Sequence, residues 1–403
     1  MAVGSPVPSP FTETTGTARS AALDALTTSG PVQRFTLFNG VPVWLVTGYP
    51  EARALLAHPA MAKDPEVVPH AKATPADLHA AMYTSVLTAN PPHHTRLRKL
   101  VTAAFTVRRV EMLRPRVQEI TDGLLDALDE AGADGAPVDL VAGLAYPLPI
   151  TVIAELLGVP VADREAFRGW SSIVINGSVH PTDTYLSAAA DMVAYLRDMI
   201  SEKRRSPADD LLSALIAVRD GQDRLSEDEL SSMVFLLLLA GHETTVNLIS
   251  GAVYSLLCHP EQLRLVRAEP GRLPAVVEEQ LRQDGPKQTP VPSVTTAPIT
   301  IGGVTIPRGD VVVVSLLAAN RDPERFAEPD RFDITRPAAP HLAFGHGLHH
   351  CLGAPLARLE GAIAVGSLLR RFPGLRLADP DTEPQRLPSL LMNGVADLPV
   401  VLG

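Results

Sequence analysis

One stretch, Ser226 to Cys258, limits the folds open to this chain more than any other. Ser226 and Glu229 have the spacing of a capping box, and Leu225 with Leu230 that of the hydrophobic staple around it, so a helix is predicted to start here. It is predicted to end near Cys258, before Pro260. About 30 residues at 1.5 Å each make a rod of roughly 45 Å. It is apolar nearly all round, and such a helix is satisfied in water only by passing through the middle of a protein. Its longest apolar run, Met233 to Gly241, is nine residues and stops at His242 and Glu243, against about 20 for a membrane span. No bilayer crossing is expected.

Composition agrees with a buried core. The chain has 403 residues, 46% of them hydrophobic and 20% charged, which excludes disorder for most of its length. One unit is expected: a loose arm over residues 1–20, rich in Pro, Ser and Thr, and a single domain over 21–403. The formal charge is −10, and there is no Lys/Arg-rich segment to hold phosphate backbones, so nucleic acid is not an expected partner. Two cysteines cannot build a disulfide framework, and the first 30 residues lack the pattern of a signal peptide. A reducing cytoplasm is expected.

Local patterns give a mainly α chain with small β-sheets. Arg34–Leu37 and Val41–Val46 flank Asn39-Gly40, the signal for a hairpin with a type I′ turn. From Asn90 to about Leu281 the spacing is helical, with Asn90 as a candidate N-cap and Pro91 at the first position. After Pro286 a second small sheet is predicted from Ile299–Ile301, Val304–Ile306 and Val311–Val314. A Gly/His-rich loop at 344–351 precedes a helix from about Leu352 to Arg371.

That loop carries chemistry. Gly345 and Gly347 permit positive φ and close approach of something flat, and Cys351 lies at the mouth of a helix whose free N–H groups favour a thiolate. Cys258, in an apolar helix end, reads as an inert small hydrophobe. A zinc site from His341, His346, His349, His350 and Cys351 is the rival, but it lacks ligand-pair spacing.

The run Phe344, Gly345, Gly347, His349, Cys351, Gly353 resembles the cysteine-loop signature F-G-x-G-x-H-x-C-x-G of cytochromes P450. The resemblance implies a P450 fold with a long central helix over a haem b. It makes Cys351 the thiolate ligand of the iron, a donor that favours O–O cleavage, and has His349 bond a propionate. Ala240-Gly241-His242-Glu243-Thr244-Thr245 resembles the family's A-G-x-[DE]-T-T; there Gly241 would make room for O2, while Glu243 and Thr244 would relay protons. Two plainer readings of this run are a threonine bonded back to the i−4 carbonyl and the start of a metalloprotease H-E-x-x-H. The second fails because position 246 is Val.

Glu279 and Arg282 form an E-x-x-R, and Pro329-Asp330-Arg331-Phe332 resembles the family's P-x-R-F, implying a buried Glu279–Arg282–Arg331 network behind the haem. Asn90 to Arg98 is close to D-P-P-x-H-T-x-L-R, with Asn in place of Asp. It puts His94 and Arg98 on one helical face, as propionate contacts; the alternative is a solvated basic helix. Where the family usually has a propionate-binding Arg, this chain reads Ser293, so one charge-assisted contact is expected to be missing.

The implied activity is that of a bacterial, actinobacterial-type monooxygenase placing one oxygen atom from O2 in a bulky apolar molecule of secondary metabolism: polyketide, macrolide, terpenoid or steroid. Hydroxylation and epoxidation are both open. The expected pocket draws on Met82, Val86, Leu87, Leu236, Leu239, Ala240, Val291, Ser293, Val294, Leu391 and Met392. With no flavin or iron–sulfur module in the sequence, NAD(P)H is expected to act through ferredoxin and ferredoxin reductase. Arg96, Lys99, Arg108, Arg109 and Arg358 are candidates for the docking patch. A cytoplasmic monomer is expected. The alternatives are a peroxide-driven oxygenase and a non-catalytic haem protein, and the retained acid–alcohol pair Glu243–Thr244 speaks against both.

Overall fold

The computed structural model describes residues 9–67, 71–175, 180–219 and 224–403, and helices dominate them. The central helix spans Glu227–Cys258, 32 residues, and both halves of its capping box are present. Ser226 Oγ accepts from the Glu229 N–H at 3.1 Å, and Glu229 Oε2 accepts from the Ser226 N–H at 2.7 Å. Leu225 and Leu230 are fully buried beside it. By length and hydropathy this helix is long and apolar enough to cross a membrane, but 61% of its most apolar window is buried inside the protein. From Leu230 to Ile249 it packs into the largest hydrophobic cluster, with helices Pro147–Leu157 and Thr182–Arg205; its last turns join a second cluster with helix Ala354–Arg371.

The β structure departs from the local reading in two places. The hairpin forms between Val32–Thr36 and Pro42–Val46, but only Gly40 has positive φ, and its N–H donates to Leu37 O at 2.8 Å. That is a type I turn closed by a left-handed glycine, a three-residue loop in place of the expected type I′ turn. Val311–Val314 does not join a second sheet. It pairs parallel with Pro42–Val46, and the five-stranded sheet is completed by Ser293–Thr295 and Met61–Ala62, while Ile299–Ile301 and Val304–Ile306 form a separate hairpin. Four consecutive valines announce a strand buried on both faces, but nothing local names a partner so far back along the chain.

The N-terminal segment is anchored where a loose arm was expected. Phe11 is buried with its ring edge-on to Phe35, and a helix runs from Gly16 to Thr28, capped by Thr15. Arg19 is buried on that helix and donates to Asn393 Oδ1 at 2.6 Å and Glu13 O at 2.7 Å. Residues 1–8 lie outside the described residues. Asn90 is not a helix cap either: its amide clamps the Lys63 backbone, accepting from the N–H and donating to the carbonyl, both at 2.8 Å. The helix begins later, at His93, and runs to Ala104.

Candidate active site

The cysteine loop is folded by its glycines and its own backbone. Gly345 and Gly347 both have φ +73°, and the Cys351 N–H donates to Phe344 O at 2.9 Å, closing the loop. A Cβ on Gly347 would lie 2.9 Å from Ala57 Cα and from Leu56 O. What approaches this glycine closely is therefore the protein's own chain, at the end of helix Tyr49–Leu56, and not a ligand. Burial pushes the Cys351 thiol above its ordinary pKa. The backbone N–H groups of Gly353 and Ala354, and the charges of Arg98 and Arg358, pull it back. The helix Ala354–Arg371 begins just behind the sulfur, so its free donors point where thiolate charge would develop. Cys351 keeps solvent-accessible surface.

The central helix offers a matching face. Leu236, Leu239, Ala240, Glu243 and Thr244 keep accessible surface, while Leu238, His242 and Thr245 between them are buried. That spacing is one stripe of a helix. Burial raises the pKa of the Glu243 carboxyl, which is 15% exposed and 3.9 Å from His242 Nε2. Thr244 Oγ1 donates to Ala240 O at 3.0 Å, the plain i−4 reading of this residue. Gly241 is accounted for by packing: a Cβ there would sit 3.1 Å from Ile153 Cγ1, so its small size serves the close crossing of two helices.

A cluster of imidazoles and cations gathers around His94. Its ring is buried, neither nitrogen has a hydrogen-bond partner, and it lies 4.5 Å from the ring of His349. Burial, then the neighbouring Lys63 and His94, hold His349 down to about 4, and its ring bonds the Val86 backbone. Burial and Arg98 lower His94.

Residues 181–394 match the cytochrome P450 family. The chain is 50% identical to cytochrome P450 107B1 of Saccharopolyspora erythraea, over 92% of both chains. It belongs to the cytochrome P450 family. It is also 46% identical to 6-deoxyerythronolide B hydroxylase of the same organism, over 91% of both chains. Among solved structures, the tirandamycin C-bound P450 monooxygenase TamI superposes with a TM-score of 0.87 at 42% identity, covering 95% of this chain and 97% of that one. The chain is a P450 monooxygenase with the P450 fold.

Haem fits the residues present in this P450. The cysteine is accessible, helix N–H groups support its negative charge, and a buried imidazole whose two nitrogens are unpartnered among the described residues stands close to Arg98. Zinc does not fit. Among the described residues no three His, Cys, Asp or Glu side chains are grouped to hold a metal ion, and His341 is bonded to Glu278 at 3.2 Å.

The buried carboxylate network differs from the expected one in one member. Arg282 grips Glu279 through Nε and NH2, both at 2.8 Å, with both side chains almost fully buried. The second arginine is Arg336, whose Nε is 3.2 Å from Glu279 Oε1. Arg331 is 55% exposed and pairs with Glu328; it contributes only its carbonyl, which accepts from Arg282 and Arg336. The chain turns back after Phe332, the Asp333 N–H donates to Glu279 at 3.0 Å, and that turn delivers the side chain five residues downstream. An additional arginine in the same run was the available signal.

Ser293 does not leave its site without charge. Lys63 Nζ donates to Ser293 Oγ at 2.9 Å and to Val291 O at 2.6 Å. Sequence reasoning missed Lys63, and no local pattern marks it. Of the other expected pocket residues, Met82, Val86 and Met392 are buried, and Leu87, Val291, Val294 and Leu391 are half-buried. The segments 287–294 and 389–393 form one wall: the Gln288 N–H donates to Leu391 O at 2.9 Å, and Lys287 bridges Met392.

Proposed function

We propose that this P450 inserts one oxygen atom from O2 into a bulky, largely apolar natural product of the polyketide or macrolide kind, in the cytoplasm, with electrons from ferredoxin and its reductase. The observation that carries the O2 chemistry is the accessible pair Glu243 and Thr244 on the inner face of the central helix. Turning RH and O2 into ROH and water consumes two electrons and two protons, and the protons need a route into a cavity lined with leucines. Haem held by the Cys351 thiolate supplies the activation of O2 when bound. Burial shifts Glu243 toward its protonated form, the direction that suits a proton donor. The Thr244 hydroxyl, one turn from Ala240, passes it on by exchanging its carbonyl bond for one into the cavity. A peroxide-driven enzyme has no need of this pair.

The substrate class is supported by the apolar stripe Leu236, Leu239 and Ala240, and by relatives whose names include a hydroxylase of 6-deoxyerythronolide B and a tirandamycin C complex. Electron supply from outside is supported by exposed Lys99, Arg108 and Arg109, with exposed Val107 and Met112 in the same stretch of chain, a surface suited to an acidic partner. Arg96 and Arg358 are already engaged, with Glu229 and Glu278.

Titrating the ferric protein with macrolides, steroids and small aromatics tests the substrate reading. A spin-state shift with the macrolides supports it, and a shift with small aromatics alone rejects it. Glu243→Gln is expected to cut O2-driven product formation by about 10²-fold or more while leaving that spectral shift in place. Unchanged turnover would remove Glu243 from the proton route.

A further inference from the structure

The cluster at His94 sets two lysines, Lys63 and Lys287, among imidazoles that are themselves held toward the neutral form. Lys63, Lys287, His94, Arg98 and His349 are electrostatically coupled, and the interactions that shift Lys63 and His349 include no carboxylate. Lys63 is the member with a built seat. Its ammonium has three donors; two are used by Val291 O and Ser293 Oγ, and one remains. Its backbone is fixed at both N–H and C=O by the Asn90 amide, which donates and accepts at once. A carboxylate could only accept there. The two places where this chain departs from its family's pattern, Asn90 for Asp and Ser293 for Arg, therefore meet on one residue.

We propose that Lys63 is a haem-binding residue of this P450, seated by Asn90, Val291 and Ser293 so that its third N–H and its charge go to a haem propionate. The short Ser293 side chain leaves the space an arginine would fill and lends an oxygen to orient the ammonium. His94, whose two ring nitrogens have no partner among the described residues, belongs to the same cluster and would turn to the same anion. Burial and Lys287 hold Lys63 down to about 8, so an unbalanced cation here gains from a nearby anion.

The inference rests on the haem reading of the site, and the test separates the two. Holoenzyme carrying Lys63→Met, Lys63→Gln or Lys63→Met with Ser293→Arg is mixed with apomyoglobin, and haem transfer is followed by absorbance. Loss of a charged hydrogen bond is expected to speed transfer roughly ten- to a hundredfold in Lys63→Met and Lys63→Gln. Both should also make the haem midpoint potential more negative, because removing a cation favours the ferric state. Ser293→Arg in the Lys63→Met background should restore slow transfer, since it returns a cation to the position that Lys63 Nζ reaches from the neighbouring strand. If Lys63 merely ties Met61–Ala62 to its neighbouring strand, Lys63→Gln keeps that tie and behaves as wild type, which overturns the proposal. Wild-type transfer in Lys63→Met, with its only defect a weaker grip on an anionic ligand, overturns it as well. A wild-type protein without a haem-thiolate spectrum would reject the haem reading and the proposal together.

Discussion

Glu279 and its two arginines show how much depends on which side chain of a run turns inward. Glu279 and Arg282 are each less than one-twentieth exposed, and Arg336 completes the carboxylate's set from 57 residues away. Removing one partner from a buried charge typically costs 3–5 kcal/mol, whereas an exposed pair contributes about 0–1 kcal/mol. Arg336→Ala is therefore expected to lower haem content and unfold at markedly lower urea, and Arg331→Ala to stay within about 0.5 kcal/mol of wild type. Haem-to-protein ratio and urea midpoints of the two variants check this, and equal effects would contradict the assignment of Arg336.

At the scale of elements, the start of the central helix is tied to the helix that carries His94 and Arg98. Glu229 serves the capping box and also pairs with Arg96 and with His93, the latter at 3.3 Å. Ser226→Ala removes only the cap and should cost about 1 kcal/mol. Glu229→Ala removes the cap's return bond and leaves Arg96 with one partner fewer, so it should cost more and also loosen haem. Chemical unfolding with haem-transfer rates distinguishes a local cap from a coupling point. Faster haem loss in Glu229→Ala but not in Ser226→Ala is the expected result.

For the whole molecule, one buried acid sets a pH dependence. Glu360 lies in the helix behind the cysteine, almost fully buried with Oε2 unpartnered, and burial raises it from 4.5 to about 8. It is protonated in the folded state and ionises on unfolding. Its contribution is full below pH 4.5 and is lost as pH rises to about 8, at up to about 1.4 kcal/mol per pH unit. Glu360→Gln should flatten the fall in urea stability between pH 5 and 8. An identical slope in wild type and variant would show that Glu360 is not the source. His242 acts with the opposite sign: burial holds it near 4, so its contribution disappears as pH drops from 6.5 toward 4.

The sequence by itself determined what depends on short separations. A capping box, a helix too apolar for a surface, a cysteine after two glycines, and a carboxylate three residues from an arginine are all complete within one or two turns. The structure holds each where the local pattern puts it. Tertiary structure decided whatever needed a partner from another part of the chain. Arg336 in place of Arg331, Lys63 beside Ser293, Val311–Val314 beside the first hairpin, and Arg19 tied to Asn393 are choices made by packing. A side chain's spacing states which face it occupies; it does not state what that face will meet. Ion pairs and sheet edges are satisfied by whichever partner the folded chain brings within about 3 Å, and the pattern around either residue carries no record of the other.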